Sequence, residues 1–344
     1  MNIKILIRLN AGENIGLGHL SRMLYLAKIL RKKKYQIEFL INKNDKVKKI
    51  ISLSKFPVTM LPIKTNSQEM QKSSPRYQKE EVRLISKLFL NNKPEVVIFD
   101  LLNTSNEFIE CWKQKTNKTI SFDNIGPGRK KIDLVFNALW FKNEDFALNN
   151  ILVGYKYLLL KESLYKNRYQ LNQQVKNIFI AFGGIDTNNL TIKILKFLRK
   201  FYGKFNFYVV ASPLNSNYIK IVQYCKKNHL NYVFDFNNLY KITQKCDLAI
   251  VNGGLTLYEV LCQGIPTMML RQTKNEFRYS TFPKELVIDL GMGQTIRKNQ
   301  IVKQLEKIII NLSLRRNLHK KLLKEFSLNN YNNLIKNIEV VLNE

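Results

Sequence analysis

Cys246-Asp247-Leu248-Ala249-Ile250-Val251-Asn252-Gly253-Gly254-Leu255-Thr256-Leu257-Tyr258-Glu259 runs from an apolar strand pattern, through two glycines, into a helical pattern. A short apolar run closed by Gly-Gly and followed by helical spacing is the strand–turn–helix step of a parallel α/β sheet. In open sheets of this kind, ligands bind beyond the carboxyl ends of the strands. Gly253, Gly254 and Thr256 stand at a helix start, where backbone N–H groups and the helix dipole favour a phosphate. Glu259 follows about one turn inside, where a carboxylate can accept hydrogen bonds from ribose hydroxyls. It sits among the apolar residues Leu257, Val260 and Leu261, which favours a functional role over packing. Asn275 and Glu276, after the next strand, could close the same site.

Working outward, the same step opens each half of the chain. Ala181-Phe182-Gly183-Gly184-Ile185-Asp186-Thr187 links an apolar run to a helix, with Asp186 or Thr187 as candidate N-cap. The loop either presents N–H groups to a phosphate or is an ordinary turn. Ile15-Gly16-Leu17-Gly18-His19-Leu20-Ser21-Arg22 follows the first apolar run. Gly16 and Gly18 allow close backbone approach, but Ser21 stands where a dinucleotide fingerprint has its third glycine. His19 is one of three histidines. A neutral imidazole at this loop suits a general base, and a capping or packing role is the alternative. His229 and His319 lie in Lys-rich helical patterns and are expected at the surface.

Strands are expected at 3–9, 36–41, 95–100, 119–123 and 133–137, then at 177–182, 205–210, 231–234, 246–251 and 266–270. Helices are expected at 187–201, 299–312, 314–326 and 330–343, and a polar surface loop at 64–80. The alternation implies two Rossmann-like domains facing across a cleft. Their expected bounds are 1–155 and 177–325, with a crossover at 156–176 and a C-terminal helix over 326–344.

Composition narrows the class. The 344 residues are 45% hydrophobic, a globular value. No apolar run reaches the roughly 18 residues of a membrane span. Arg8 interrupts the N-terminal apolar run, so it reads as a first strand rather than a signal peptide. The four cysteines are scattered, without metal-ligand spacing, and read as buried thiols. A cytoplasmic protein is expected. The net charge of +30 is spread along the chain in short runs such as Arg31-Lys32-Lys33-Lys34 and Arg129-Lys130-Lys131. A solvated basic surface is the plain interpretation, and contact with an anionic membrane on the cytoplasmic face is the next. No nucleic-acid module is recognisable, so no nucleic-acid partner is expected. The chain also lacks an Asp-x-Asp pair, the motif that holds a divalent metal in many sugar-transfer enzymes. Neither metal nor cofactor is expected, and backbone dipoles and basic side chains would stabilise a leaving diphosphate.

Taken in order, Gly16-Leu17-Gly18-His19-Leu20-Ser21-Arg22, Asp100, Phe122-Asp123, Gly183-Gly184-Ile185-Asp186 and Gly253-Gly254…Glu259…Gly264-Ile265-Pro266 form a specific combination. It resembles the UDP-2,4-diacetamido-2,4,6-trideoxy-altropyranose hydrolases of pseudaminic acid synthesis and their spore-coat polysaccharide relatives, from residue 3 to about residue 290. The resemblance implies a GT-B fold, a UDP-sugar substrate held by the second domain, and His19 as the catalytic position. It also places Asp100 and Asn10 beside the reaction, and Arg22 and Asp123 with the substrate. Two positions depart from the family. Asn10 stands where an Asp is usual, and Asp100-Leu101-Leu102 stands where Asp-His-Tyr is common. Hydrolysis of the anomeric C–O bond is the leading expectation. Glycosyl transfer to an acceptor hydroxyl and non-catalytic nucleotide-sugar binding are the alternatives.

Overall fold

The structure is a computed structural model that describes residues 3–11, 18–63, 75–88, 93–139, 141–184, 186–210, 212–213, 215–233, 239–273, 276 and 284–343. The chain forms two units that divide between Leu159 and Leu160, and residues from Tyr331 onward return to the first unit. The expected crossover at 156–176 therefore contains the division. Its described part holds a short helix, Glu162–Lys166. The C-terminal helix, Leu328–Asn343, buries Leu334, Ile338 and Leu342 in the first unit's core. Those positions are four apart, so they share one helical stripe.

The first unit is built on seven parallel strands: β1 Lys4–Leu9, β2 Gln36–Asn42, β3 Val58–Leu61, β4 Val96–Asp100, β5 Lys118–Phe122, β6 Leu134–Asn137 and β7 Ile151–Val153. Their order is β3-β2-β1-β4-β5-β6-β7. Ile5, Ile7 and Leu9 pack with Met23, Leu26 and Leu30 of the helix Gly18–Lys32, whereas Leu6, Val97 and Phe99 pack with Phe108 and Trp112. Burial on both faces explains why the central strands read as unbroken apolar runs. The strand order reverses between β1 and β4, where Leu9 pairs with Asp100.

The second unit repeats the plan with six parallel strands: β8 Asn177–Ala181, β9 Asn206–Val210, β10 Asn231–Val233, β11 Leu248–Val251, β12 Thr267–Arg271 and β13 Ile288–Met292. The order β10-β9-β8-β11-β12-β13 reverses between β8 and β11, where Ala181 pairs with Val251. Each reversal splays two loops apart and leaves a crevice at the strand ends.

Some expectations need correction. Strands β3, β7 and β13 were not among the expected ones. The expected loop at 64–80 gives way to a helix at Pro75–Leu88; residues 64–74 lie outside the described residues. The helix expected at 187–201 is a shorter α-helix, Leu190–Phe197, followed by a 3-10 turn. Among the described residues, no helix is long and apolar enough to cross a membrane. Cys225, Cys246 and Cys262 are buried free thiols, whereas Cys111 is half-buried.

Candidate functional site

Both crevices carry polar constellations. In the first unit, Asp100 is the last residue of β4, and His19 and Arg22 lie one turn apart on the helix that follows β1. Asp100 Oδ1 accepts from His19 Nδ1 at 2.7 Å and from Arg22 Nη2 at 2.5 Å, and Oδ2 accepts from Arg22 Nε at 2.8 Å. Arg22 Nη1 donates to Asp123, whose other oxygen accepts from Leu139 N at 2.7 Å. The guanidinium thus bridges two buried carboxylates, bidentate on one of them.

Burial acts against charge on both Asp100 and Arg22, and the pairing overrides it. Desolvation alone would lift the Asp100 carboxyl, but Arg22 and His19 hold it well below its ordinary value. Desolvation would likewise lower Arg22, and Asp100 and Asp123 push it above the ordinary guanidinium range. The His19 side chain is 29% exposed, whereas Asp100 is fully enclosed. Because a carboxylate only accepts, the Nδ1 proton is assigned to the bond with Asp100. Nε2 is then left with its lone pair free for a proton.

Arg22 and Asp123, expected with the substrate, are 5% and 1% exposed and pair with each other, and Arg22 also pairs with the Asp100 that meets His19. Asn10 belongs to a different cluster: its Oδ1 accepts from Arg8 Nη1 at 2.8 Å. Arg8, buried in β1, also forms two 2.7 Å bonds to Glu81 and one to Asn42. The Arg8–Glu81 pair was missed, although an arginine inside an apolar strand signals a buried partner. Gly18 begins the helix, and Gly16 lies outside the described residues.

In the second unit, the loops after β8 and β11 face one another at the strand reversal. Gly183 has φ +75°, a conformation that favours glycine, and Asn252 is 3.7 Å from where its Cβ would be. Asp186 spends both oxygens on helix amides, Leu190 N at 2.8 Å and Thr191 N at 2.9 Å. Its side chain caps the helix that follows, and burial raises its carboxyl pKa against those bonds. Gly254 N-caps the helix Leu255–Cys262 without any side-chain cap bond.

Glu276 changes the phosphate assignment. Its carboxylate accepts from Gln272 N at 2.8 Å, Asn252 Nδ2 at 3.1 Å and Gly253 N at 3.2 Å. The Gly253 amide expected to hold a phosphate is therefore taken, which leaves the start of the helix at Gly254 and Thr256. Burial raises the Glu276 carboxyl, and the three donors oppose it. Asn275 lies outside the described residues.

Glu259 is half-buried and lines a small cavity with Lys161, Tyr240, Thr243 and Thr256. Desolvation pushes its carboxyl up to about 7, with Lys161 pulling weakly the other way. Elsewhere, His229 is exposed as expected. His319 is half-buried rather than fully exposed: its Nδ1 lies 2.7 Å from Gly264 O, and its ring meets Tyr169 edge-on. Gly264 has φ +81°, and a Cβ there would lie 2.9 Å from Leu323.

No family model matches the chain. It is 26% identical over 326 residues to the spore coat polysaccharide biosynthesis protein SpsG of Bacillus subtilis, covering 90% of each chain. It is 24% identical over 268 residues to the UDP-2,4-diacetamido-2,4,6-trideoxy-beta-L-altropyranose hydrolase of Campylobacter jejuni, covering 75% of this chain and 88% of that one. The chain is a sequence relative of both.

An uncharacterized protein of Methanocaldococcus jannaschii is 31% identical over 79% of this chain, and the chain spans only 56% of that protein's length. Among solved structures, MurG of Acinetobacter baumannii matches with a TM-score of 0.68 at 14% identity, over 99% of this chain and all of that one. The calicheamicin glycosyltransferase CalG4 matches at 0.66 and 10%, over 100% and 99% of the two chains. The UDP-GlcNAc 2-epimerase of Neisseria meningitidis, bound to UDP-GlcNAc, matches at 0.60 and 13%, over 99% and 100%. The fold is of the GT-B type.

Proposed function

We propose that this chain is an enzyme of nucleotide-sugar chemistry in surface polysaccharide or nonulosonic acid biosynthesis. It cleaves the anomeric C–O bond of a UDP-sugar with His19 as general base. One observation carries the proposal: the solvent-facing imidazole is oriented by the buried Asp100, itself clamped by Arg22. In this mechanism, water attacks the anomeric carbon, its proton passes to His19 Nε2, and UDP leaves with the bonding electrons. Arg22, Asp100 and Asp123 sum to one negative charge, which stabilises the imidazolium as it forms. The second unit supplies the nucleotide site, with Gly254 and Thr256 at the phosphates and Glu259 at the ribose. No further cofactor enters.

Transfer to a sugar hydroxyl is the second reading, favoured by Leu101 and Leu102. The apolar residues after Asp100 provide no polar group to hold a water molecule. Incubation with UDP-, CMP- and GDP-sugars, with and without acceptors, separates the two by the product formed. Release of no nucleotide from any of them would remove the enzymatic assignment.

The nucleotide site has its own test. Glu259→Ala is expected to weaken UDP binding by roughly 1.5–3 kcal/mol, the range for a hydrogen bond to a charged group. With the carboxyl at about 7, wild-type affinity should fall as pH drops from 8 to 6, because the acceptor form is lost. The alanine variant should show a flat profile. Calorimetry giving equal affinities for two folded proteins would take Glu259 out of the site.

Peripheral contact with an anionic membrane also belongs to this proposal, on the strength of the +30 charge and the exposed Arg31–Lys34 run. Flotation with acidic vesicles should be strong at low salt and fade as ionic strength rises. Equal behaviour on neutral and acidic vesicles would leave the charge as a solvated surface.

A further inference from the structure

Asn252 follows β11 and is 7% exposed. Its Nδ2 donates to Glu276 Oε1 at 3.1 Å, while the other Glu276 oxygen accepts from Gly253 N and Gln272 N. A carboxylate accepts and does not donate, so Glu276 fixes which end of the Asn252 amide faces it. The opposite end, Oδ1, is buried and has no hydrogen-bond partner among the described residues.

That oxygen lies between the two glycine loops. A Cβ on Gly183 would stand 3.7 Å from both Asn252 Oδ1 and Nδ2, and one on Gly254 would stand 4.0 Å from Oδ1 and 3.3 Å from Nδ2. At Gly184, among the described residues, the one neighbour within reach of a Cβ is Ser212 Oγ, at 4.0 Å. The strand reversal therefore presents an oriented, enclosed acceptor beside glycine backbone that leaves room. A phosphate oxygen is itself an acceptor and cannot pair with it, whereas a hydroxyl or an amide N–H can.

We infer that Asn252 is a specificity-determining residue whose Oδ1 takes a hydroxyl or acylamino N–H of the sugar, with Glu276 as the positioning residue behind it. The inference rests on the nucleotide-sugar reading and adds the chemistry of one subsite. It moves the loop between β11 and its helix from a purely phosphate-binding role to one that also reads the sugar.

Calorimetry with UDP and UDP-N-acetylglucosamine tests it on the full chain. The wild type should bind the sugar nucleotide more tightly than UDP. Asn252→Leu should lose about tenfold for UDP-N-acetylglucosamine, the upper end for one neutral hydrogen bond, with UDP affinity changed less than twofold. Equal losses for both ligands, or none for either, would overturn the assignment while leaving the nucleotide site standing. Failure of the wild type to bind either ligand would overturn the nucleotide-sugar reading and the inference together. A second measurement needs no folded leucine variant. The Asn252 side-chain amide resonances of the wild type should shift with UDP-N-acetylglucosamine and stay in place with UDP, and the same shift with both would also overturn it.

Discussion

His19→Asn is expected to keep UDP affinity while turnover of the cognate nucleotide-sugar falls about 10²–10⁴-fold, the usual contribution of a positioned base. Asparagine preserves a polar side chain that can still meet Asp100, but it has no ring nitrogen to take a proton. UDP affinity should survive because the proposed nucleotide loops, after β8 and β11, belong to the other unit. Initial rates with water alone and with acceptors provide the measurement. A folded His19→Asn protein that turns over at the wild-type rate would reduce the histidine to a structural partner of Asp100.

The sequence showed His19 because few residues in this chain combine a titrating side chain with a glycine loop after a strand. Its partners were harder to assign. Asp100 lies 81 residues away, and only the β1–β4 pairing at the strand reversal brings them together. Arg22 is visible on the same helix face, yet no local pattern says that its charge is consumed by Asp100 and Asp123. The grip of Glu276 on Gly253 also depends on a long-range neighbour relation, that of β11 with β12. The central strands were legible because both faces are buried. The edge strands β3, β7 and β13 were not: β13 carries Asp289 and Gly291, and β7 has only three residues, although β10, equally short and at an edge, was legible. The start of the helix Pro75–Leu88 was read as loop because residues 64–80 are polar and rich in Ser and Lys. Proline suits a helix's first position, where its fixed φ is favourable and its missing N–H does no harm.

Asp100→Asn is expected to destabilise the first unit by about 3–5 kcal/mol at neutral pH, the cost of removing one partner from a buried ion pair. Asparagine fills nearly the same volume, so the loss would come from charge rather than from a cavity. Arg22 would keep only Asp123, and its Nε and Nη2 protons would face a neutral amide. The sign of the pH dependence follows from the wild-type carboxyl, which Arg22 and His19 hold well below 3.8 against its burial. Its stabilising contribution is complete above that value and is lost as pH falls further and the folded carboxyl takes up a proton. The gap between wild type and variant should therefore be constant from pH 7 to 5 and begin to close below about 4. Urea unfolding at several pH values measures it. The same substitution should also cut turnover, because an amide at position 100 can donate to Nδ1 and so favour the tautomer that carries its proton on Nε2. Equal stability of wild type and Asp100→Asn at pH 7 would show that the pairing of Arg22 with Asp123 alone suffices, and that Asp100 serves the imidazole rather than the fold.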